Sequence, residues 1–513
     1  MSYYPKIYPT VIHMLVEAAL KFGGKPALIF EDRRLTYTQY LRCVSGLARE
    51  LQDIAHVQSL KGERVALICR NSLEMAVGLF AAHASGGQVV PINPDYTSRE
   101  LEHILNDAKP VIALYDEEVK PVVQPLLRKL NILHYLEVGG TTGNYFDGWK
   151  NDTEITLPSM PEPDDYATLQ YTGGTTGLPK GVNITHKQIA INLAQREASW
   201  PTREGVEKIL CVMPLFHVFA SSMGLHLAVY CKGVLNILRQ YHPESVLDTI
   251  SQEQITLLPV GPTIFIGLMS YPNFNSTDFS SLSIAYSGSA PLPEEILRRW
   301  EELTNCRILE GYGQSEAGPV ISAVAEGSPF ITGSVGKPLI DTEVQIVDVE
   351  TGIKVLGAGH RGEIRVRGPQ VMSGYRNRQI ETAEALRDGW LYTGDIGELD
   401  SLGNLYIRDR KKDMVIVSGY NVYPREIDEV LYLHRDISDA ATVGILDEYR
   451  GEVICACVKL REGATISSED LIAFCEEHLV SYKIPQKIKI LKEVPKTTVG
   501  KIDKSAVKKL LSI

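Results

Sequence analysis

Short apolar runs alternate with amphipathic stretches along most of this chain, and that rhythm restricts it to a small set of architectures. Arg64-Val65-Ala66-Leu67-Ile68-Cys69 has the length and composition of a buried strand. Residues 72–84 carry a helical spacing, and residues 87–92 form a second strand-length run. A helix opening at Ser98-Arg99-Glu100-Leu101 with Ser98 as its cap is expected next, then a strand at Val111-Ile112-Ala113-Leu114. Strands that are apolar on both faces must be covered on both faces. A strand–helix–strand rhythm does this with a parallel sheet between helices.

The pattern changes after about residue 333. Glu343-Val344-Gln345-Ile346-Val347 and Gly362-Glu363-Ile364-Arg365-Val366-Arg367 alternate apolar with polar residues, as half-exposed, more antiparallel strands do. A charged break, Asp409-Arg410-Lys411-Lys412, follows. Beyond it lie about 100 residues with a β and α pattern of their own, enough for a small domain. The expected fold is α/β. Residues 1–410 form a large N-terminal domain of parallel βαβ-type sheets plus a smaller β region, and residues 411–513 a small mobile α+β C-terminal domain.

Residues 75–93 and 209–231 are uncharged, and about 20 apolar residues can cross a bilayer. Both contain polar residues, prolines or glycine pairs, including His83, Pro91, Pro214 and His217, and fit buried helix–turn–strand segments better. No transmembrane segment is expected. His13 and Glu17 interrupt any apolar run near the start, so no secretory signal is expected either. The eight cysteines are scattered without a C-x-x-C pair, which argues against zinc and thioredoxin-like chemistry. A reducing cytoplasm is the default. The net charge of −11 gives no support for a nucleic-acid partner. Residues 483–513 nevertheless carry +7, leaving −18 on the rest. A solvated basic segment explains this, and so does a small anionic ligand.

The densest chemical signal is Gln170-Tyr171-Thr172-Gly173-Gly174-Thr175-Thr176-Gly177-Leu178-Pro179-Lys180-Gly181. Glycines let a backbone wrap closely and expose its N–H groups, hydroxyls donate, and Lys180 adds a positive charge. Together they make a polyphosphate cradle, although the Gly-Lys-Ser/Thr ending of a Walker loop is missing. In Glu310-Gly311-Tyr312-Gly313-Gln314-Ser315-Glu316, Glu316 stands where a dinucleotide fingerprint needs its third glycine. Tyr312 could serve as an aromatic platform and Glu316 as a Mg²⁺ carboxylate; a tight turn capped by Glu is the alternative. In Leu391-Tyr392-Thr393-Gly394-Asp395, the carboxylate after a glycine turn could bind vicinal ribose hydroxyls, or Gly-Asp could be a hairpin turn. Arg410-Lys411-Lys412 reads as a boundary or an exposed linker. Thr497-Thr498-Val499-Gly500-Lys501 reads as a loop tip projecting an ammonium, or as a solvated lysine. His217 lies among apolar residues, where a satisfied core histidine is usual.

The order and spacing of these motifs closely resemble the adenylate-forming superfamily, and within it bacterial medium- and long-chain fatty acyl-CoA synthetases. The likeness runs from the first βαβ units to Lys501. It rests on residues 169–177, on Asp409-Arg410-Lys411-Lys412-Asp413-Met414-Val415-Ile416-Val417-Ser418-Gly419-Tyr420-Asn421-Val422-Tyr423-Pro424, and on Pro495-Lys496-Thr497-Thr498-Val499-Gly500-Lys501. The resemblance implies ATP, Mg²⁺ and CoA as cofactors. It puts Thr172, Gly173, Gly174, Thr175, Thr176, Gly177 and Lys180 on the ATP phosphates. Ser289, Ala290 and Pro291, with Gly311, Tyr312 and Gly313, wall the adenine, and Ser315 touches the α-phosphate. Glu316 serves Mg²⁺. Asp395 binds the ribose, with Arg410 nearby, and His217 flanks the acyl carboxylate. Lys412 falls at a hinge, Lys501 is the lysine of the adenylation step, and Gly419 lines the pantetheine route.

Peptide-synthetase adenylation domains, which the resemblance also covers, place an Asp in the stretch matching residues 214–224 to meet an α-ammonium group. Here Leu215-Phe216-His217-Val218-Phe219-Ala220-Ser221-Ser222-Met223-Gly224 holds no acid. Gly224, Gly261, Gly288 and Ser289 leave room for a chain, so a medium- or long-chain fatty acid is expected, with an aryl or branched acid as the alternative. The resemblance fits a monomer or homodimer, with membrane contact at most peripheral.

Overall fold

The structure is a computed structural model. It describes residues 5–512 except 140–145, 152–154, 159, 173–178, 330, 418–419, 448–450 and 498–499. Within those residues the strands form four sheets. A six-stranded sheet contains Arg64–Ile68, Gln88–Pro91, Ile112–Tyr115 and His134–Glu137 in parallel. Its far edge is the antiparallel pair Tyr166–Thr172 and Lys180–Thr185. The helix Leu73–Ala84 covers this sheet, and Ser72 caps it by accepting from the Met75 amide at 3.1 Å. The next helix, Ser98–Ala108, is capped by Thr97 rather than Ser98. The Thr97 hydroxyl and the Glu100 carboxylate satisfy each other's backbone amides, so Ser98 becomes the first helical residue.

A nine-stranded sheet is parallel through its centre, from Pro26–Phe30 across Val234–Ile237, Lys208–Cys211, Leu257–Val260 and Ile284–Ser287 to Arg307–Gly313. Antiparallel strands close both edges. Its inner strands Leu257–Val260 and Ile284–Ser287 are buried nearly end to end, as apolar runs require. The uncharged residues 75–93 become helix, turn and strand, and residues 209–231 run from a strand into short helical turns. Among the described residues no helix is long and apolar enough to cross a membrane.

The third sheet joins Glu343–Val347, Gly362–Arg367, Trp390–Leu399, Leu386–Arg387 and Leu405–Arg410, all antiparallel, as the alternating pattern predicts. The fourth contains Val415–Val417, Tyr420–Val422, Ile437–Asp447, Gly451–Leu460 and Lys487–Leu491. The helices Pro424–Leu433, Ser468–His478 and Lys504–Leu511 belong to the same stretch of chain. Two apolar clusters in this part draw only on residues beyond 414.

The two large sheets are held in register by Asn71, which is 4% exposed. Its amide donates to the carbonyls of Met213 (3.0 Å) and Leu238 (3.1 Å), and its oxygen accepts from the Leu215 amide (2.7 Å). Each such bond contributes about 1 kcal/mol net, and buried partners left bare cost more. Asn71→Ala should therefore lower the unfolding free energy by about 3 kcal/mol, read from the denaturant midpoint at unchanged slope. A negligible shift of that midpoint would mean that water replaces the side chain without penalty.

Candidate active site

A cavity of about 870 Å³ opens where strands of both large sheets end. Thr172 ends Tyr166–Thr172, and Gly311, Tyr312 and Gly313 end Arg307–Gly313. Ser289 follows Ile284–Ser287, and His217 follows Lys208–Cys211. This is the usual place for a ligand in an open parallel sheet. Thr172, His217, Ser289, Gly311, Tyr312, Gly313, Ser315, Glu316, Arg410 and Lys501 all line the cavity. Lys412 lines it too. Ala290 and Pro291 lie just beyond Ser289 and are not in its wall. Gly173, Gly174, Thr175, Thr176, Gly177 and Gly419 lie outside the described residues. Thr172 and Lys180 face each other as partners at the base of the hairpin that carries the first five of these.

Asp395 is 3% exposed, and it is not at a hairpin turn. Gly394 and Asp395 lie inside the ten-residue strand Trp390–Leu399, where Gly394 takes a φ of +71°. That left-handed kink suits glycine and re-aims the following carboxylate. One Asp395 oxygen accepts from the Tyr312 hydroxyl at 2.5 Å, and the other meets Arg410 Nε at 2.9 Å. Arg410 stands directly opposite Asp395 on the neighbouring strand. Burial raises the Asp395 pKa, and the Arg410 guanidinium and the Tyr312 hydroxyl oppose that rise.

Glu316 sits in the short turn Ser315–Ala317, which follows the strand Arg307–Gly313. Burial raises its pKa, and the Tyr375 hydroxyl, donating to Glu316 Oε1 at 2.9 Å, counters this. The face of the Tyr375 ring receives Lys180 Nζ at 5.3 Å from its centre. Tyr375 thus connects the lysine of the glycine-rich segment to the acidic residue. The Asn183 amide donates to the Gly374 carbonyl and the Arg376 amide to the Gly181 carbonyl, which fixes it there. Sequence reading missed Tyr375; its only local signal is the Ser373-Gly374-Tyr375 stretch after a strand.

His217 is half-buried, and its Nδ1 accepts from the Phe219 amide at 3.2 Å. Gln170 donates to the Phe216 carbonyl at 3.0 Å, joining the glycine-rich hairpin to the His217 loop. Burial, with the nearby Lys501 ammonium, holds the His217 pKa down to about 3, so the imidazole is neutral at ordinary pH. Lys501 projects from a closed loop in which Gly500 has φ +78°. Its pKa is lowered to about 8, chiefly by burial and then by Arg410, with Asp395 acting the other way. A lysine from near the end of the chain therefore shares one cavity with His217, Tyr312 and Arg410, while Asp395, which the last two hold, and Lys180 are not in its wall.

The model of the AMP-binding enzyme family matches residues 15–376, and that of the AMP-binding enzyme C-terminal domain matches residues 426–501. The chain belongs to the AMP-binding enzyme family. A long-chain-fatty-acid–CoA ligase of Bacillus subtilis (strain 168) is 37% identical over 525 residues, covering 96% of this chain and 93% of that one. The ligase of the same name from Salmonella typhimurium is 32% identical, covering 97% and 94%. Among solved structures, the anthranilate CoA ligase AuaEII in complex with anthranoyl-AMP aligns with a TM-score of 0.91 at 26% identity over 99% of both chains. ATP-bound MatB from Rhodopseudomonas palustris aligns at 0.89 and 26%, over 98% and 99%.

A carboxylate has about four acceptor positions, and Tyr312 and Arg410 use two of those on Asp395. If the rest receive ribose hydroxyls, 2′- and 3′-deoxy-ATP should be worse substrates than ATP by roughly 10–10²-fold in kcat/KM, the worth of a hydrogen bond to a charged group. Asp395→Ala should close most of that gap. Undiminished discrimination in a folded Asp395→Ala protein would remove the ribose role.

Proposed function

We propose that this protein is an AMP-forming acyl-CoA synthetase, a cytoplasmic acid–thiol ligase acting on a medium- or long-chain fatty acid. The observation that carries this reading is the presence of Lys501 in one cavity with His217, Glu316, Tyr312 and Arg410, the last two holding the buried Asp395 carboxylate. The similarity to long-chain-fatty-acid–CoA ligases across nearly the whole chain supports the substrate class. So does the apolar wall formed by Phe216, Val218, Phe219 and Met223, which contains no acid to meet an amino group.

A free carboxylate resists nucleophiles because its charge repels them and oxide is a poor leaving group. In the first half-reaction a carboxylate oxygen attacks the α-phosphorus of ATP, the bond to pyrophosphate breaks, and acyl-AMP forms. Two anions must converge, so fixed positive charge and donors aimed at the α-phosphate provide most of the acceleration. Lys501 supplies that charge, the Ser315 hydroxyl and the glycine-rich segment through Lys180 hold the phosphates, and Ser289 with residues 311–313 takes the adenine. Neutral His217 flanks the acyl carboxylate without adding an ion of its own. Glu316 suits Mg²⁺, since its carboxylate lines the cavity and Tyr375 ties only one of its oxygens, so it would hold the ion beside the phosphates. Bound Mg²⁺ supplies charge neutralisation on the phosphates.

In the second half-reaction the CoA sulfur attacks the acyl carbon and AMP leaves with the bonding electrons. Pyrophosphate has departed, so Lys501 has no further task, and a thiol needs the room. We place the hinge at Lys412, between residues 1–410 and a mobile 411–513 unit, with Gly419 along the pantetheine route. Pyrophosphate release and thioester formation across fatty, aryl, branched and amino acids test the function directly. Fatty acids should give the highest kcat/KM. Turnover confined to aryl acids would move the assignment to an aryl-CoA ligase, and no CoA-dependent product with any acid would refute the synthetase reading.

The Lys501 pKa adds a pH signature. The ammonium is charged below about pH 8 and neutral above it. The kcat/KM for acyl-AMP formation should therefore fall about tenfold per unit above pH 8. Lys501→Arg should abolish that limb, because guanidinium stays charged. A flat profile to pH 10 in the natural protein would detach Lys501 from the step.

A further inference from the structure

Lys501 can act only if its loop is placed to within a fraction of an ångström of its target. The described residues around Lys501 are tied to one another. The Thr497 amide donates to the Lys501 carbonyl (2.7 Å), Gly500 to Thr497 (2.9 Å) and Asp503 to Pro495 (2.9 Å). The Lys501 amide donates to the Thr497 hydroxyl at 3.2 Å. Asp503 then caps the helix Lys504–Leu511, accepting from the Ala506 amide at 2.9 Å. Loop and helix form one piece, and Lys504 is its first helical residue.

Lys504 Nζ lies 3.3 Å from Asp409 Oδ1 and 3.7 Å from Asp413 Oδ2. The Asp409 side chain is 4% exposed and sits on the strand Leu405–Arg410, next to Arg410. Its oxygens also accept from the amides of Arg410 (2.7 Å) and Arg425 (3.0 Å). One buried carboxylate therefore holds three things: the backbone of the residue whose guanidinium pairs with Asp395, the start of the helix Pro424–Leu433, and the ammonium beside the Lys501 loop.

We propose that the Asp409–Lys504 pair is a positioning latch that fixes Lys501 for acyl-AMP formation and parts when the chain rearranges for thioester formation. This rests on the two-arrangement reading above. Lys412 lies between the partners in sequence, so movement there carries Lys504 away while Asp409 stays with its strand. Burial alone would lower the Lys504 pKa, yet Asp409, Asp413 and Asp428 outweigh it and keep the group above the ordinary lysine value. Lys504 therefore stays a cation at the pH values where lysines ordinarily do.

The test uses the full chain with Lys504→Met, Lys504→Arg and Asp409→Asn. Acyl-AMP formation is followed as pyrophosphate release without CoA, and thioester formation from supplied acyl-AMP and CoA. Lys504→Met should lower kcat for the first half-reaction on the order of 10–10²-fold with little change in the KM for ATP. The second half-reaction should keep its natural rate, and Lys504→Arg should recover most of the first. If Lys504→Met does not fold, Asp409→Asn decides in the same way. Equal loss in both half-reactions, or loss in neither, overturns the latch. A natural protein that completes neither half-reaction with any acid overturns the synthetase reading instead.

Discussion

The Lys501 ammonium, half-buried between a neutral imidazole and an Asp395–Arg410 pair, is the feature on which the rest of the site depends. Burying it is unfavourable enough to bring its pKa down to about 8. The buried carboxylate of Asp395 offsets part of that cost, and Arg410 in turn keeps Asp395 from being isolated. A polyphosphate entering this cavity would meet charge already in place, in surroundings where electrostatic interactions are stronger than in water. The proposed chemistry needs that charge for only one of two steps, which is why we propose that the part of the chain carrying it moves between them.

The large sheets supply the fixed part. Their parallel strands all end on one side, so the segments carrying Thr172, His217, Ser289 and Tyr312 converge without any of them being long. Two buried amides keep these segments in step. Asn71 ties the six-stranded sheet to the strands flanking the His217 loop, and Gln170 ties the glycine-rich hairpin to Phe216. The antiparallel sheet contributes Asp395 and Arg410 as register partners on adjacent strands. Their spacing is thus set by backbone hydrogen bonding rather than by flexible side chains.

Much of this was legible in the sequence. Apolar runs located three parallel strands of the six-stranded sheet to within a residue or so, and the switch to alternation near residue 333 marked the antiparallel sheet. Gly500 before Lys501 signalled a projecting loop. The misreadings were local. Ser98 has the right chemistry for a cap, but the Thr97–Glu100 reciprocal pair takes that place. Gly394-Asp395 looks like a turn because turns and kinked strands use glycine for the same reason, and only its pairing with distant strands distinguishes them. Nothing local pointed to the pairing of Tyr375 with Glu316 or of Asp409 with Lys504, since the partners lie 59 and 95 residues apart.

The claim that Lys501 serves one half-reaction and is absent from the other is tested most directly by Lys501→Ala in separated half-reactions. Acyl-AMP formation should fall on the order of 10²–10³-fold, as for loss of one preorganised charge-stabilising donor. Supplied acyl-AMP and CoA should still give acyl-CoA at the natural rate. Equal loss of both half-reactions in a folded Lys501→Ala protein would contradict the account and leave Lys501 a general binding or structural residue.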